Sequence, residues 1–154
     1  MPSELGKDKR LIAWNGLNLY IPVDWDARVS GQRHLVFEKY FQPQLQIRWE
    51  NSVRQPPRYL HERLSQLAGP KGSIIPKDNF PLELRQFREN FGEVACYQEE
   101  SIVRGGIGLC AECHTLILFQ LLCTGPALLQ EAGDCLATLS CHKHSEILDA
   151  PEDF

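Results

Sequence analysis

Residues 44–49, Gln-Leu-Gln-Ile-Arg-Trp, alternate strictly between polar and apolar. A strand sends successive side chains to opposite faces, so this pattern predicts a strand with Leu45, Ile47 and Trp49 turned to a core. Leu17-Asn18-Leu19-Tyr20-Ile21 reads as an earlier half-buried strand closed by Pro22, with Trp25 in the turn that follows. Arg33 to Tyr40 reads as another, with Leu35 and Phe37 on one face. Together the three predict an antiparallel meander with one wet face.

The period then changes. Leu60, Leu64, Leu67 and Ala68 recur at helical spacing after Pro56 and Pro57, and Gly69-Pro70 ends the run. Residues 70–81 hold Pro70, Gly72, Pro76 and Pro81 and read as a loop. Strands are expected again at Leu82–Phe87, at Val94–Glu100 and within the apolar stretch Ile107–Cys123, with Arg104-Gly105-Gly106 as a turn between the last two. A closing helix follows Thr124-Gly125-Pro126, its stripe formed by Leu128, Ala132, Cys135, Leu136 and Leu139. The expected fold class is therefore α+β: an antiparallel sheet of about six strands covered by two main helices. A polar arm (1–10), one domain (11–148) and an acidic tail (149–154) complete the expected organisation, and 154 residues suffice for one self-standing core.

Composition narrows the function classes. A net charge of −4 argues against a nucleic-acid partner. No stretch is apolar for long enough to span a bilayer, so no membrane partner is expected. Met1 to Arg10 has no apolar core of the kind a secretory leader needs. The expected location is the cytoplasm, where six cysteines serve as thiols or metal ligands more readily than as disulfides.

Two groups of those cysteines carry the candidate chemistry. Cys110-Ala-Glu-Cys113 is answered near the end of the chain by Cys141-His142-Lys143-His144. Paired thiolate and imidazole donors are what a tetrahedral zinc ion takes, so Cys110, Cys113, Cys141 and His144 form the expected metal site, with His142 as the substitute ligand and zinc as the cofactor. The spacing supports convergence. A strand over Thr115–Leu122 carries the chain about 26 Å away from Cys113. A helix over Pro126–Cys141 brings it about 24 Å back. Two conditions attach. The helix must end near Ser140 for Cys141 and His144 to face the pair. Cys110 and Cys113 need a knuckle-like turn, since residues three apart on a straight strand face opposite ways.

Other readings of the same residues are plain core thiols, histidine cations at a helix C-terminus, a haem-attachment string (Cys110-Ala-Glu-Cys113-His114), and a thioredoxin-like pair. The last needs a helix directly after the pair, whereas a strand is expected there. Cys96, Cys123 and Cys135 read as core thiols. No Gly-x-Ser-x-Gly, His-Glu-x-x-His or phosphate loop occurs. His34 and His61 stand alone, and no catalytic residue is assigned.

The element order resembles the PsbP-like family, which includes the Ran-binding Mog-type proteins. The resemblance rests on the opening Leu19-Tyr20-Ile21-Pro22-Val23-Asp24-Trp25 and on the leucine-rich helix closing at Ser140, and spans about residues 11 to 145. It implies an α/β/α sandwich serving as a platform for a protein partner. The Cys110-x-x-Cys113 pair lies outside that family's general pattern, and no functional residue is carried over. The expected function is thus a non-enzymatic partner-binding or assembly domain. The rival is a small thiol redox enzyme or sensor using Cys110 and Cys113.

Overall fold

The computed structural model describes residues 9–51, 57–125 and 127–141. In chain order the elements are β1 (Lys9–Trp14), β2 (Leu17–Pro22), β3 (Trp25–Gly31), β4 (His34–Lys39), β5 (Gln42–Glu50), α1 (Pro57–Ala68), β6 (Ser73–Ile74), α2 (Arg85–Phe91), β7 (Gly92–Glu99), β8 (Ile102–Cys110), β9 (Leu116–Leu121) and α3 (Leu128–Ala137). Two single-turn 3₁₀ segments, Lys77–Asn79 and Leu82–Leu84, lie between β6 and α2. The chain is α+β. Seven strands form an antiparallel sheet in the order β3-β4-β5-β9-β8-β7-β6, and β1 and β2 form a separate hairpin.

The alternation read from Gln44–Trp49 sets the inner face. Leu45, Ile47 and Trp49 are buried beside Leu35 and Phe37 of β4 and Ile117, Phe119 and Leu121 of β9. The hairpin adds Leu17, Leu19 and Ile21 from above, α2 adds Phe87 and Phe91, and the whole α3 stripe from Leu128 to Leu139 joins the same core. The opposite face carries a smaller cluster in which Leu64 and Ala68 of α1 pack on Tyr97, Ile107, Leu116 and Leu118. Leu116 and Leu118 face α1 while Ile117 and Phe119 face α3, so β9 is apolar on both sides and reads as a continuous run. Arg63 anchors α1 to the sheet by two bonds to Glu50, at 2.8 and 2.7 Å. That pairing holds the Glu50 carboxyl below its ordinary range.

Several expectations are corrected. Leu82–Phe87 is not a strand. Leu84, Phe87 and Phe91 share one face of a 3₁₀ turn running into α2, and all three are buried. The short Leu82-Glu83-Leu84 alternation hid that spacing. Arg104-Gly105-Gly106 is not a turn but the middle of β8, with Gly105 and Gly106 paired on both sides. A Cβ at Gly106 would stand 2.6 Å from the Ala95 carbonyl, and one at Gly108 would stand 2.9 Å from the Phe87 ring. Glycine is there to admit its neighbours. The true turn is Glu100-Ser101, both in the left-handed region. Trp25 opens β3 rather than sitting in a turn, and is fully buried. Lys9 and Arg10 already belong to β1. Asn15-Gly16, with φ of 50° and 90°, makes the two-residue turn that the β1–β2 hairpin requires. Among the described residues there are three helices and a main sheet of seven strands, close to the two main helices and about six strands expected. Pro56, Pro126 and the acidic tail 149–154 lie outside the described residues. Among the described residues no helix is long and apolar enough to cross a membrane.

One turn is unusual. The β4–β5 hairpin reverses at Tyr40-Phe41, with φ of 52° and 67°. Bulky residues adopt this conformation at a cost, and these two rings are 76% and 91% exposed.

Leu136 lies at the centre of the α3 stripe with no exposed surface. Leu136→Ala is expected to cost about 2–5 kcal/mol through lost transfer energy and a residual cavity. Urea melts check this, and a change below about 1 kcal/mol would show that α3 does not carry the core as described.

Candidate metal centre

Both sequence conditions for convergence are met. β8 ends at Cys110, and the chain turns back through Ala111, Glu112 and Cys113 to enter β9. The turn is closed by two backbone bonds, from His114 N–H to the Cys110 carbonyl and from Cys110 N–H to the Thr115 carbonyl, each 3.0 Å. His114 takes a left-handed φ of 59°. This is the knuckle that brings Cys113 round to the side of Cys110.

The third cysteine arrives from the other direction. α3 ends at Ala137, where the Thr138 hydroxyl donates to the Cys135 carbonyl at 2.8 Å. The same hydroxyl oxygen accepts the Tyr20 N–H at 2.9 Å. Two residues on, Asn18 and Ser140 exchange both backbone bonds, at 3.0 and 2.8 Å. β2 therefore catches the chain as it leaves the helix and delivers Cys141 to the β8–β9 turn.

The three sulfurs lie within 4.8 Å of one another, close enough to hold one metal ion. Cys113 Sγ stands 3.1 Å from Cys141 Sγ and 3.1 Å from Thr115 Oγ1. Cys110 is buried, and Cys113 and Cys141 are half-buried. An open cleft of about 570 Å³ borders the cluster, touching Gly92, Cys110, Ser140 and Cys141. His142 and His144, the remaining expected ligands, lie outside the described residues.

The three thiols differ electrostatically. Burial opposes ionisation of Cys113. The hydrogen bonds offered by the Thr115 hydroxyl, by Cys141, by the Thr115 backbone and by Cys110 outweigh it, and hold this thiol below its ordinary value. Cys110 and Cys141 are both raised, each chiefly by burial. Of the three, Cys113 is therefore the thiol that ionises most readily, with hydrogen-bond partners around it. Thr115 is the contributor that sequence reading passed over, and adjacency to Cys113 was its one signal.

The other expectations resolve simply. Cys96 and Cys135 are buried core thiols, each pushed up to about 12 by burial. Cys123 is half-buried and bonded to Gln44. His34 pairs with Gln46 at 2.8 Å, and His61 is exposed on α1. A strand, not a helix, follows Cys113, which removes the helix dipole that a thioredoxin-like pair needs.

No family model matches the chain, and no curated protein matches it. Among solved structures, a protein from Bacteroides thetaiotaomicron VPI-5482 is similar at a TM-score of 0.51 and 13% identity. The match covers 90% of this chain and 50% of the other, so this chain spans about half that protein's length. Likeness at that identity speaks to the fold alone.

In metal-stripped protein, Cys113 is expected to alkylate first as pH rises, with a midpoint below that of an ordinary thiol. Cys110 and Cys141 should lag, and Cys96 and Cys135 should stay unlabelled until the chain unfolds. Mass mapping of labelled peptides checks the order. Labelling of Cys141 ahead of Cys113 would contradict this electrostatic picture.

Proposed function

We propose that this chain is a non-enzymatic partner-binding or assembly domain in which a structural zinc ion ties the closing segment to the sheet. Cys110, Cys113 and Cys141 supply thiolates, and His144 supplies the fourth ligand, with His142 as its substitute. The observation that carries this reading is the convergence of three sulfurs from two separate parts of the chain within 4.8 Å. Zinc–thiolate bonds of about 2.3 Å in a tetrahedron set sulfurs about 3.8 Å apart, so the cluster fits after the 3.1 Å Cys113–Cys141 approach opens by several tenths of an ångström. Soft thiolates favour zinc over hard cations. An ion closed by four protein ligands keeps no position for a reacting water, which makes the site structural.

Two features support the partner-binding half. The resemblance to the PsbP-like family is to a partner platform. The Tyr40-Phe41 tip holds two aromatic rings in solvent on a backbone that costs stability, and the fold's own core makes no use of either ring. The rival reading, a thiol redox centre, draws support from the same 3.1 Å approach, since oxidation would join Cys113 to Cys141.

Elemental analysis of protein purified without added metal separates the two. The expected result is close to one zinc per chain, lost in Cys141→Ser, with affinity that falls as pH drops because thiolate and neutral imidazole are required. Metal-free protein that instead cycles a Cys113–Cys141 disulfide and turns over a thiol substrate would overturn the proposal. So would any reproducible turnover abolished by one pocket substitution that leaves the fold intact.

A further inference from the structure

The edge of the main sheet at β7 is only partly covered. β6 pairs with β7 over two residues, Ser73 with Gln98 and Ile74 with Tyr97, and Ile75 N–H then bonds the Cys96 carbonyl at 2.9 Å. Pro76 has no N–H to continue the ladder, and the chain leaves the edge through the 3₁₀ turn at Lys77–Asn79. Cys96 thus faces outward. In an antiparallel strand, alternate residues share an edge, so Val94 and Gly92 face outward too. The register agrees, because Cys110, opposite Gly92, directs its N–H to Thr115 and away from β7. Gly92 N–H caps α2 on the Arg88 carbonyl. Among the described residues, no strand pairs with β7 between Gly92 and Ala95 on this side. Val94 N–H, Val94 C=O and Gly92 C=O are left as a short open ladder.

That ladder faces a cavity of about 410 Å³ between α1 and the β6–α2 connection. Leu60, Leu64, Ile74 and Ile107 make its walls apolar. Two cations stand on its rim: Lys77, which is exposed, and Arg88, whose guanidinium lies 4.3 Å from the Phe80 ring centroid. Neither has a carboxylate within ion-pair distance among the described residues, although the chain as a whole is acidic. Among the described residues, Glu93 is the one acid lining the opening.

We propose that this groove binds an extended acidic peptide by strand addition to β7. Backbone bonds to Val94 and Gly92 supply the register, one apolar side chain fills the cavity, and carboxylates on the peptide pair with Lys77 and Arg88. Hydrogen bonds from an open edge give affinity in this mode, and a pocket for alternate side chains gives selectivity. The proposal rests on the partner-binding reading and names its surface.

The test is a titration of the isotope-labelled 154-residue chain with short blocked peptides alternating isoleucine or valine with glutamate, followed by amide NMR. The expected result is shifts centred on Val94, Gly92 and Ile74. Binding should weaken at least about tenfold in Val94→Pro, which removes the outward donor while sparing the β8 ladder, and in the charge reversal Lys77→Glu/Arg88→Glu. Amide spectra of the free variants verify that each is folded. If Val94→Pro does not fold, backbone N-methylated peptides take its place, and these should bind at least about tenfold more weakly than the parents. Equal binding by N-methylated peptides, or by decanoate, would overturn strand addition in favour of a site for small apolar anions. Shifts confined to Tyr40 and Phe41 would keep a partner-binding domain but overturn this groove as its surface. No shift anywhere up to about 1 mM peptide would overturn the groove proposal, since such affinities lie near −4 kcal/mol.

Discussion

Two backbone hydrogen bonds between Asn18 and Ser140 decide where the end of this fold goes. They form because β2 keeps an unspent edge after pairing with β1, and because α3 stops at Ala137 with Thr138 already held by Tyr20. Without that capture the helix could run on, and its period would carry Cys141 away from the sheet. With it, the chain is drawn across β2 and Cys141 meets a turn whose two cysteines are already positioned. The metal-type cluster is therefore a consequence of tertiary capture acting on a short sequence motif. A metal at the cluster would in turn fasten both sides of the capture, since folding free energy and binding free energy are then linked.

Legibility in the sequence followed the strength of the local period. Gln44–Trp49 alternates without a break and became β5, with Leu45, Ile47 and Trp49 in the core. The Leu128–Leu139 stripe became α3 in the same core. The strand-out, helix-back direction of β9 and α3 was readable, and Cys141 does lie beside Cys110 and Cys113, but α3 stops at Ala137 instead of Cys141 and β2 carries the chain the rest of the way. What failed was decided by distant neighbours. Gly105 and Gly106 look like a turn to any local rule, yet they are strand residues because Tyr97, Phe119 and the Ala95 backbone fill the space a side chain would need. Leu82–Phe87 has too few residues to separate a two-residue period from a helical one, and contact with α3 selected the helical form. Gly133 of α3 exists for this contact, because a Cβ there would strike the Glu83 carbonyl. The β1–β2 hairpin is the exception, since Asn15-Gly16 announces it locally.

The same sheet leaves one end clamped and one edge open. At the far end of β8 the knuckle and Cys141 close the structure around a compact donor set. One strand away, β6 is too short to finish β7 because Pro76 removes the next donor. Proteins normally blunt such an edge with charge or cover. Here two cations, Lys77 and Arg88, without acidic partners among the described residues, outnumber the one acid, Glu93, and so favour an acidic strand over a basic one. A rigid metal-type corner beside an unfinished edge suits a domain that holds its shape while a partner completes its sheet.

The central claim is that three cysteines and one histidine of this chain close around a zinc ion. Zinc K-edge X-ray absorption on protein purified without added metal tests it most directly. The account predicts a first shell of three sulfurs at about 2.3 Å and one nitrogen at about 2.0 Å, with no oxygen shell. The Cys113→Ser variant should lose a sulfur or lose the metal. An absent edge, or a shell dominated by nitrogen and oxygen, would contradict it.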